Sequence, residues 1–430
     1  MTSVVCKLFE GFFRDALNNH LIDNSLLSDH QHGFTSGRSC STQLLSTIHD
    51  WLGFLENGEP IDTIYLDFQK AFDKVPHQRL LLKLKGYGVG GSVWNWIADF
   101  LTGRSQHVSV EGECSDSTPV HSGVPQGSVL GPALFIFFIN DMPDTINCLV
   151  KVFADDTKAY ATVGSINQAR ELQTNIDSLV TWSNKWQMKF NADKCKVLHL
   201  GKENPGHVYN MNGSPLTEET VEKDLGVYID KDLSYDNHIN ETVKKGNRLV
   251  GMVSHYISHK SKDIMTPLYK AIIRPILEYG NVTVWSPKYR KHIDLIEGVQ
   301  RRFTKRIIGT NDLSYEERLE LLNLPSLEFR RFRGDMIETY KMTHGLYDYK
   351  VVSPFFTLQN SKTRGHDFKL VKPSFTNISE NFFTNRIINS WNNLPKHVVL
   401  AKTLNSFKNT FDQNFSSITY KVNLPSIAYS

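Results

Sequence analysis

The sequence predicts an α/β fold, and three observations carry that expectation. β-Branched and aromatic residues run from Ile61 to Phe68 with few charges and with Asp67 near their carboxyl end, the pattern of a buried strand opening onto a crevice. Two further strand patterns, Leu149 to Ala154 and Thr157 to Val163, are separated only by Asp155-Asp156, a hairpin with an acidic tip. Helical spacing takes over from Ile166 to Trp186, and again where Ile296, Val299, Phe303 and Ile307 recur on one face.

The remaining elements follow in order along the chain. Helical signals lie around Leu8 to Leu21, and past Asp67 a polar segment leads to a helix opening at Pro76, where proline fits a first turn. The apolar run Val129 to Ile139 falls far short of the ~20 residues that span a bilayer, so it reads as a buried helix and no membrane segment is expected. Glu203 to Ser214, rich in Gly, Asn and Pro, reads as a hairpin loop. Pro275 is placed to kink or break a helix. Beyond Asn311 a mixed helical stretch, EERLELLNLPSLEFRRFR, gives way to a tail rich in Asn, Ser and Phe, and no internal repeat is evident.

With 430 residues and about 150 per domain, roughly two or three domains are expected, and 40% hydrophobic content suffices for their cores. Lys7 and Glu10 interrupt any signal-peptide pattern between Met1 and Phe13. Five cysteines without ligand spacing suit a reducing compartment and exclude structural zinc, and the sixteen histidines form no metal motif. An intracellular location, cytoplasmic or nuclear, is the expectation. The net charge of +3 conceals a gradient: Glu241 to Thr310 holds fourteen Lys/Arg against five Asp/Glu. Within it Arg301, Arg302, Lys305 and Arg306 fall outside the apolar stripe, which makes a helix with a basic face suited to phosphate backbone.

Asp67, Asp155 and Asp156, together with the uncharged loop SGVPQGS from Ser122 to Ser128, describe a two-metal site for nucleotidyl transfer. Hydroxyl attack on a polyanionic phosphate is helped by two divalent ions about 3.5–4 Å apart. Hard ions such as Mg²⁺ take oxygen ligands, commonly one or two carboxylates. Neighbouring strand residues face opposite ways, so Asp155 is assigned the main ligand role and Asp156 a supporting one.

Seven motifs in order then resemble the reverse transcriptases, most closely those of jockey-like, LINE-type non-LTR retrotransposons. They are QHGFTSGRSC from Gln31, YLDFQKAFDKVPH from Tyr65, SGVPQGSVLGP from Ser122, FADD from Phe153, FNADKC from Phe190, DLGVYID from Asp224 and WSPKYRKHIDLIEGVQRRFTKR from Trp285. The resemblance implies a right-hand polymerase: partial fingers and palm over 1–233, a helical basic thumb over 234–310, and a mostly helical extension over 311–430. It implies an RNA-directed DNA polymerase that extends a DNA primer on an RNA template with dNTPs, using two Mg²⁺ ions or Mn²⁺ in their place. Phe72 matches the gate that selects deoxyribose. Gln126, Gly127, Arg38 and Lys194 match positions that hold the nucleotide, and Leu225, Gly226 and Val227 match a primer grip. Relatives carry Arg where this chain has Thr35, and a basic finger segment upstream of TSVVCKLFE is absent, which implies an N-terminally truncated copy. No stretch resembles an endonuclease, so a separate one is expected as partner. Two alternatives stay open: an inactive remnant that binds RNA through the basic thumb, and a maturase-like or RNA-templated RNA polymerase, against which Phe72 argues.

Overall fold

The computed structural model describes residues 3–359, 365–376 and 378–424, so Thr363 and Arg364 of the tail motif TRGHDFKL lie outside the described residues. Its contacts divide the chain into two units, Met1–Gln43 with Gly58–Thr220, and Leu44–Asn57 with Val221–Ser430.

The first unit is built on a five-stranded sheet. Strands β1 (Ile61–Leu66), β2 (Leu149–Phe153), β3 (Asp156–Thr162), β4 (Lys196–Leu200) and β5 (Thr217–Glu219) stand in the order β5-β4-β1-β3-β2. β1 is central and antiparallel to both neighbours, with Leu66 opposite Thr157 and Ile61 opposite Leu200. It is buried along nearly its whole length, as its run of Ile, Thr and Leu requires. The helices of this unit are α1 (Val4–Asp23), α3 (Ala71–Lys74), α4 (His77–Gly86), α5 (Gly91–Leu101), α6 (Gly131–Ile139) and α7 (Ile166–Trp186); α2 (Cys40–Glu56) carries the chain across the division. The expected helix from Ile166 is closed at its start by a capping box between Ser165 and Gln168. The apolar run is indeed a buried helix, α6, in which every residue but Pro132 is shielded. Pro76 occupies the N-cap of α4 rather than its first turn, and the short α3 before it has no periodic signal to announce it.

One buried charge fixes this sheet. Asp62, on β1, is fully buried. Its oxygens accept hydrogen bonds from Tyr209 Oη at 2.6 Å and Asn204 Nδ2 at 2.8 Å, and one lies 2.5 Å from His199 Nδ1 on β4, the residue directly opposite it. A carboxylate so enclosed is tolerable only when its lone pairs are all met.

The second unit opens with the hairpin β6 (Val221–Asp224) and β7 (Val227–Asp230), then α8 (Asp236–Tyr256), α9 (Lys262–Leu268), α10 (Arg274–Glu278), α11 (Arg290–Thr304), α12 (Tyr315–Leu321) and α13 (Leu327–Thr343). A division at residue 233 was expected, but the hairpin belongs with the helices: Tyr279 Oη donates to Leu225 O at 2.7 Å, and Tyr228 N donates to His238 Nδ1 on α8 at 3.2 Å. Pro275 does disturb its helix. A π-helical segment, Tyr269–Ile273, precedes α10, the accommodation a missing N–H invites. The tail packs as well: Tyr340 Oη donates to Ala401 O at 2.6 Å, and Arg333 pairs with Asp412.

Burial alone would lower His199, yet the hydrogen bond to Asp62 and the charges of Asp62 and Glu218 outweigh it and hold the imidazolium above its ordinary value. A raised folded-state value contributes stability that is complete below the unfolded value near pH 6.5 and is lost as pH climbs through the folded one. The stability difference between wild type and His199→Gln, from urea melts, is therefore expected to be largest below about pH 6.5 and to shrink at higher pH. A difference that grows with pH would remove this account of the pair.

Candidate active site

The site grows from the carboxyl end of β1, where strand geometry gives way just as Asp67 begins. Asp67 is clasped by the segment before β4: its N–H points to Cys195 Sγ at 3.4 Å, and its carbonyl accepts from Asn191 N at 2.8 Å. Phe68 stacks on Phe190 with centroids 4.5 Å apart, which fixes the backbone direction beyond the strand. The Asp67 side chain is 39% exposed, yet its Oδ2 is shut off from solvent and has no hydrogen-bond partner among the described residues; it forms an ion pair with Lys194 Nζ at 3.7 Å. Lys194 itself is 68% exposed, free to reach a ligand from that position.

Asp155 comes to the same place from the neighbouring hairpin. Phe153 pairs with Asp156, so the tight turn consists of Ala154 and Asp155, one residue earlier than the sequence pattern suggests. Ala154 takes a left-handed φ of 55°, a conformation a β-carbon disfavours and which sharp functional turns often carry. Burial raises the Asp155 carboxyl above its ordinary value; a hydrogen bond from its own backbone opposes this, and the negative charge of Asp67 adds to it. The two carboxylates thus share a field.

Asp156 opens β3 and is exposed, directly after Asp155 in the turn, and among the described residues no three acidic, histidine or cysteine side chains converge as a ready-made metal cluster. The pair Asp67 and Asp155 still suits a hard divalent ion, because such ions take one or two carboxylates and complete their shell with water and substrate phosphate. The Oδ2 of Asp67 is the observation that fits: shielded from solvent and without a hydrogen bond among the described residues, it is paired with the Lys194 ammonium at 3.7 Å, so the position already attracts a cation.

Phe72 and the SGVPQGS loop form one assembly beside this pair. Phe72, on α3, is partly buried and stacks on Phe135 of α6 at 4.5 Å and 15°. Its carbonyl accepts from Val124 N at 2.8 Å, and Ser122 Oγ donates to Asp73 O at 2.8 Å. Gln126 is exposed and its Nε2 donates to Asp73 Oδ1 at 2.9 Å, while Gly127 is exposed at a φ of 81° with open space where a side chain would stand. The loop is held at its far end by Glu10 of α1, whose Oε2 accepts from Val129 N at 2.7 Å and Leu130 N at 3.0 Å ahead of α6.

Arg38 does not stand out as a free cation. Its side chain is only 4% exposed, and Nη1 donates to the carbonyls of Asp29 at 2.7 Å and Gln31 at 2.8 Å. Its charge braces the loop from Asp29 to Gln31, and a direct triphosphate contact has little exposed donor to make it. That loop holds two residues to which sequence reasoning gave no role. Gln31 is buried, and its Oε1 accepts from Gly33 N at 2.7 Å and from Ala154 N at 3.1 Å, inside the turn that carries Asp155. A β-carbon on Gly33 would lie 2.6 Å from Ala154 N. Both stand within QHGF, but the contact spans over a hundred residues and has no local signature.

The primer-grip residues and the basic helix lie in the second unit. Leu225 and Gly226 form the turn between β6 and β7 with φ of 43° and 89°, a two-residue hairpin rather than a bulged strand, and Val227 is buried. Ile296, Val299, Phe303 and Ile307 are all buried, whereas Arg301, Arg302, Lys305 and Arg306 are exposed, the last two in the turn beyond α11.

Comparison with known proteins adds three findings. Residues 1–236 match the family model described as reverse transcriptase (RNA-dependent DNA polymerase). An RNA-directed DNA polymerase from the mobile element jockey of Drosophila melanogaster is 32% identical over 65% of this chain and 32% of its own length. A probable RNA-directed DNA polymerase from transposon BS of the same organism is 27% identical over 71% of this chain and 35% of its own. This chain spans about a third of the length of these curated relatives. A solved apo telomerase from Candida Tropicalis aligns at TM-score 0.42 and 12% identity, over 73% of this chain and 52% of that one.

Gly33→Ala is expected to lower unfolding free energy by about 1–3 kcal/mol, since the new methyl must displace either the loop or the turn. Chemical denaturation checks this, and an unchanged midpoint would show that the close approach of Gly33 to Ala154 is absent.

Proposed function

Because the chain belongs to the reverse transcriptase (RNA-dependent DNA polymerase) family, we propose that it extends the 3′ end of a DNA primer with deoxynucleotides along an RNA template. One observation carries this reading: Asp67, whose shielded Oδ2 is paired with the Lys194 ammonium, and Asp155 lie within one field at the end of the central strand. Asp67 and Asp155 would hold the divalent cations, Mg²⁺ or Mn²⁺, with Asp156 as an outer contributor. Bound there, such ions neutralise phosphate charge and make the attacking hydroxyl more acidic.

The chain's own groups do the rest. Lys194, beside Asp67 and largely exposed, is placed to meet the leaving pyrophosphate and neutralise its charge. Phe72 has one face on Phe135 and so resists displacement by a ribose 2′-hydroxyl. Gln126 and Gly127 offer an amide and an unobstructed backbone to the nucleotide. Arg38 acts at one remove, by holding Gln31 under the Asp155 turn.

In this reading the sheet unit supplies palm and fingers, the helices around α11 the thumb, and the Leu225–Val227 turn the primer grip. A separate endonuclease would supply the nick, and the reaction belongs in the cytoplasm or nucleus. A second reading, an inactive remnant that binds RNA, is favoured by the exposure of Arg301, Arg302, Lys305 and Arg306.

Primer extension on a short RNA template with dNTPs and Mg²⁺ tests the proposal. Wild type is expected to extend, and Asp155→Asn to fall by more than about 10²-fold, the scale on which loss of one transition-state charge contact acts. No extension by wild type, with salt-sensitive RNA binding intact, would favour the remnant. Phe72→Ala is expected to raise ribonucleotide incorporation relative to deoxyribonucleotide by at least about tenfold. Unchanged sugar selection would take the gate role from Phe72.

A further inference from the structure

The second unit contains a pocket of about 430 Å³ with an arginine inside it that nothing described so far employs. Arg331, on α13, is 2% exposed and lines this pocket. Its Nη1 and Nη2 are both shielded from solvent, and neither has a hydrogen-bond partner among the described residues. Guanidinium donors are rarely left so, because a buried donor without an acceptor loses its water and gains nothing in return.

Carboxylates near Arg331 do not satisfy it. Its charge is felt by Glu297 and Asp335. Yet Glu297 accepts from Tyr315 Oη at 2.5 Å and from the N–H groups of Leu327 and Glu328 at the start of α13. Asp335 in turn is held by Arg386 at 2.7 Å. The rest of the lining adds Lys288, Lys372 and Arg386 to Arg331, against the single carboxylate of Glu380, which Lys288 pairs at 2.9 Å. With Arg386 paired to Asp335 and Lys288 to Glu380, Arg331 and Lys372 are the lining cations left without a hydrogen-bonded carboxylate among the described residues, a surplus that suits negative charge.

We propose that this pocket binds one phosphate of a single-stranded RNA, with Lys372 as the exposed donor and the Arg331 guanidinium as the buried positive charge in the wall behind it. The volume lies in the range that accepts a nucleotide-sized ligand. Phe375, also in the lining, presents an aromatic surface on which a base can stack, which a free phosphate would not use. The choice of RNA rests on the polymerase reading above; the phosphate chemistry does not.

The test uses the full chain and a labelled single-stranded RNA of about ten nucleotides, a length typical of such sites, titrated at several salt concentrations. Lys372→Gln, on an exposed residue, is expected to weaken binding threefold to tenfold and to reduce the salt slope by about 0.7, the loss of one phosphate contact. Arg331→Met, once shown to fold by its circular dichroism and melting curve, should weaken it at least as much. Affinity and slope unchanged in Lys372→Gln would overturn the proposal. If inorganic phosphate raises the melting temperature in a Lys372-dependent way while RNA binding is unaffected, the pocket takes a free anion and the RNA assignment fails. Primer extension by wild type, read separately, reports on the polymerase reading alone.

Discussion

The register of the central strand is the constraint on which the rest depends. β1 lies antiparallel between β3 and β4, and only with Leu66 opposite Thr157 does Asp67 emerge next to the turn that carries Asp155. A slip of one residue would turn Asp67 to the other face of the sheet and bury a polar row in its place. The fully buried Asp62 opposes such a slip. Its partners His199, Tyr209 and Asn204 meet it in one register only, so an ion pair of modest net stability serves to select one pairing among several. The lock and the chemistry sit at opposite ends of the same six-residue strand.

From that strand the site is assembled by close backbone approaches rather than by long side chains. Gly33 lets the Gln31 loop lie against the Ala154 turn, and Gln31 then satisfies an N–H inside it. On the other side, Ser122 and Val124 fasten the SGVPQGS loop to the segment that bears Phe72. Arg38 and Glu10 are charged residues used in this construction: each is mostly buried, and each ties down backbone, at residues 29–31 and 129–130. The exposed groups left over, Gln126 and Lys194, are those with freedom to meet a ligand.

What could be read in the sequence was local. Runs of β-branched and aromatic residues announced β1 and the acidic hairpin, helical spacing announced α7, and the apolar run announced α6, because each signal lies within one element. The motif residues Asp67, Asp155, Phe72, Gln126 and Lys194 all fall in one unit of the fold. What could not be read was long-range. Asp62 looked like an ordinary strand residue, Gln31 and Gly33 gave no hint of a partner more than a hundred positions away, and Arg38, expected to hold the nucleotide, gave no sign that it would donate to the carbonyls of Asp29 and Gln31. Asp156 was given a supporting role beside Asp155, and it stands exposed at the first position of β3. The hairpin of β6 and β7 was counted with the sheet, but its contacts with Tyr279 and His238 were invisible without coordinates.

The central claim is that Asp67 and Asp155 hold a cation between them. Mn²⁺ binding by the purified chain, followed by electron paramagnetic resonance, reads this without any turnover. The account predicts bound Mn²⁺ in wild type and its loss in both Asp67→Asn and Asp155→Asn, with Asp156→Asn much less affected. Mn²⁺ held equally well by Asp67→Asn and wild type, with the fold intact, would contradict it.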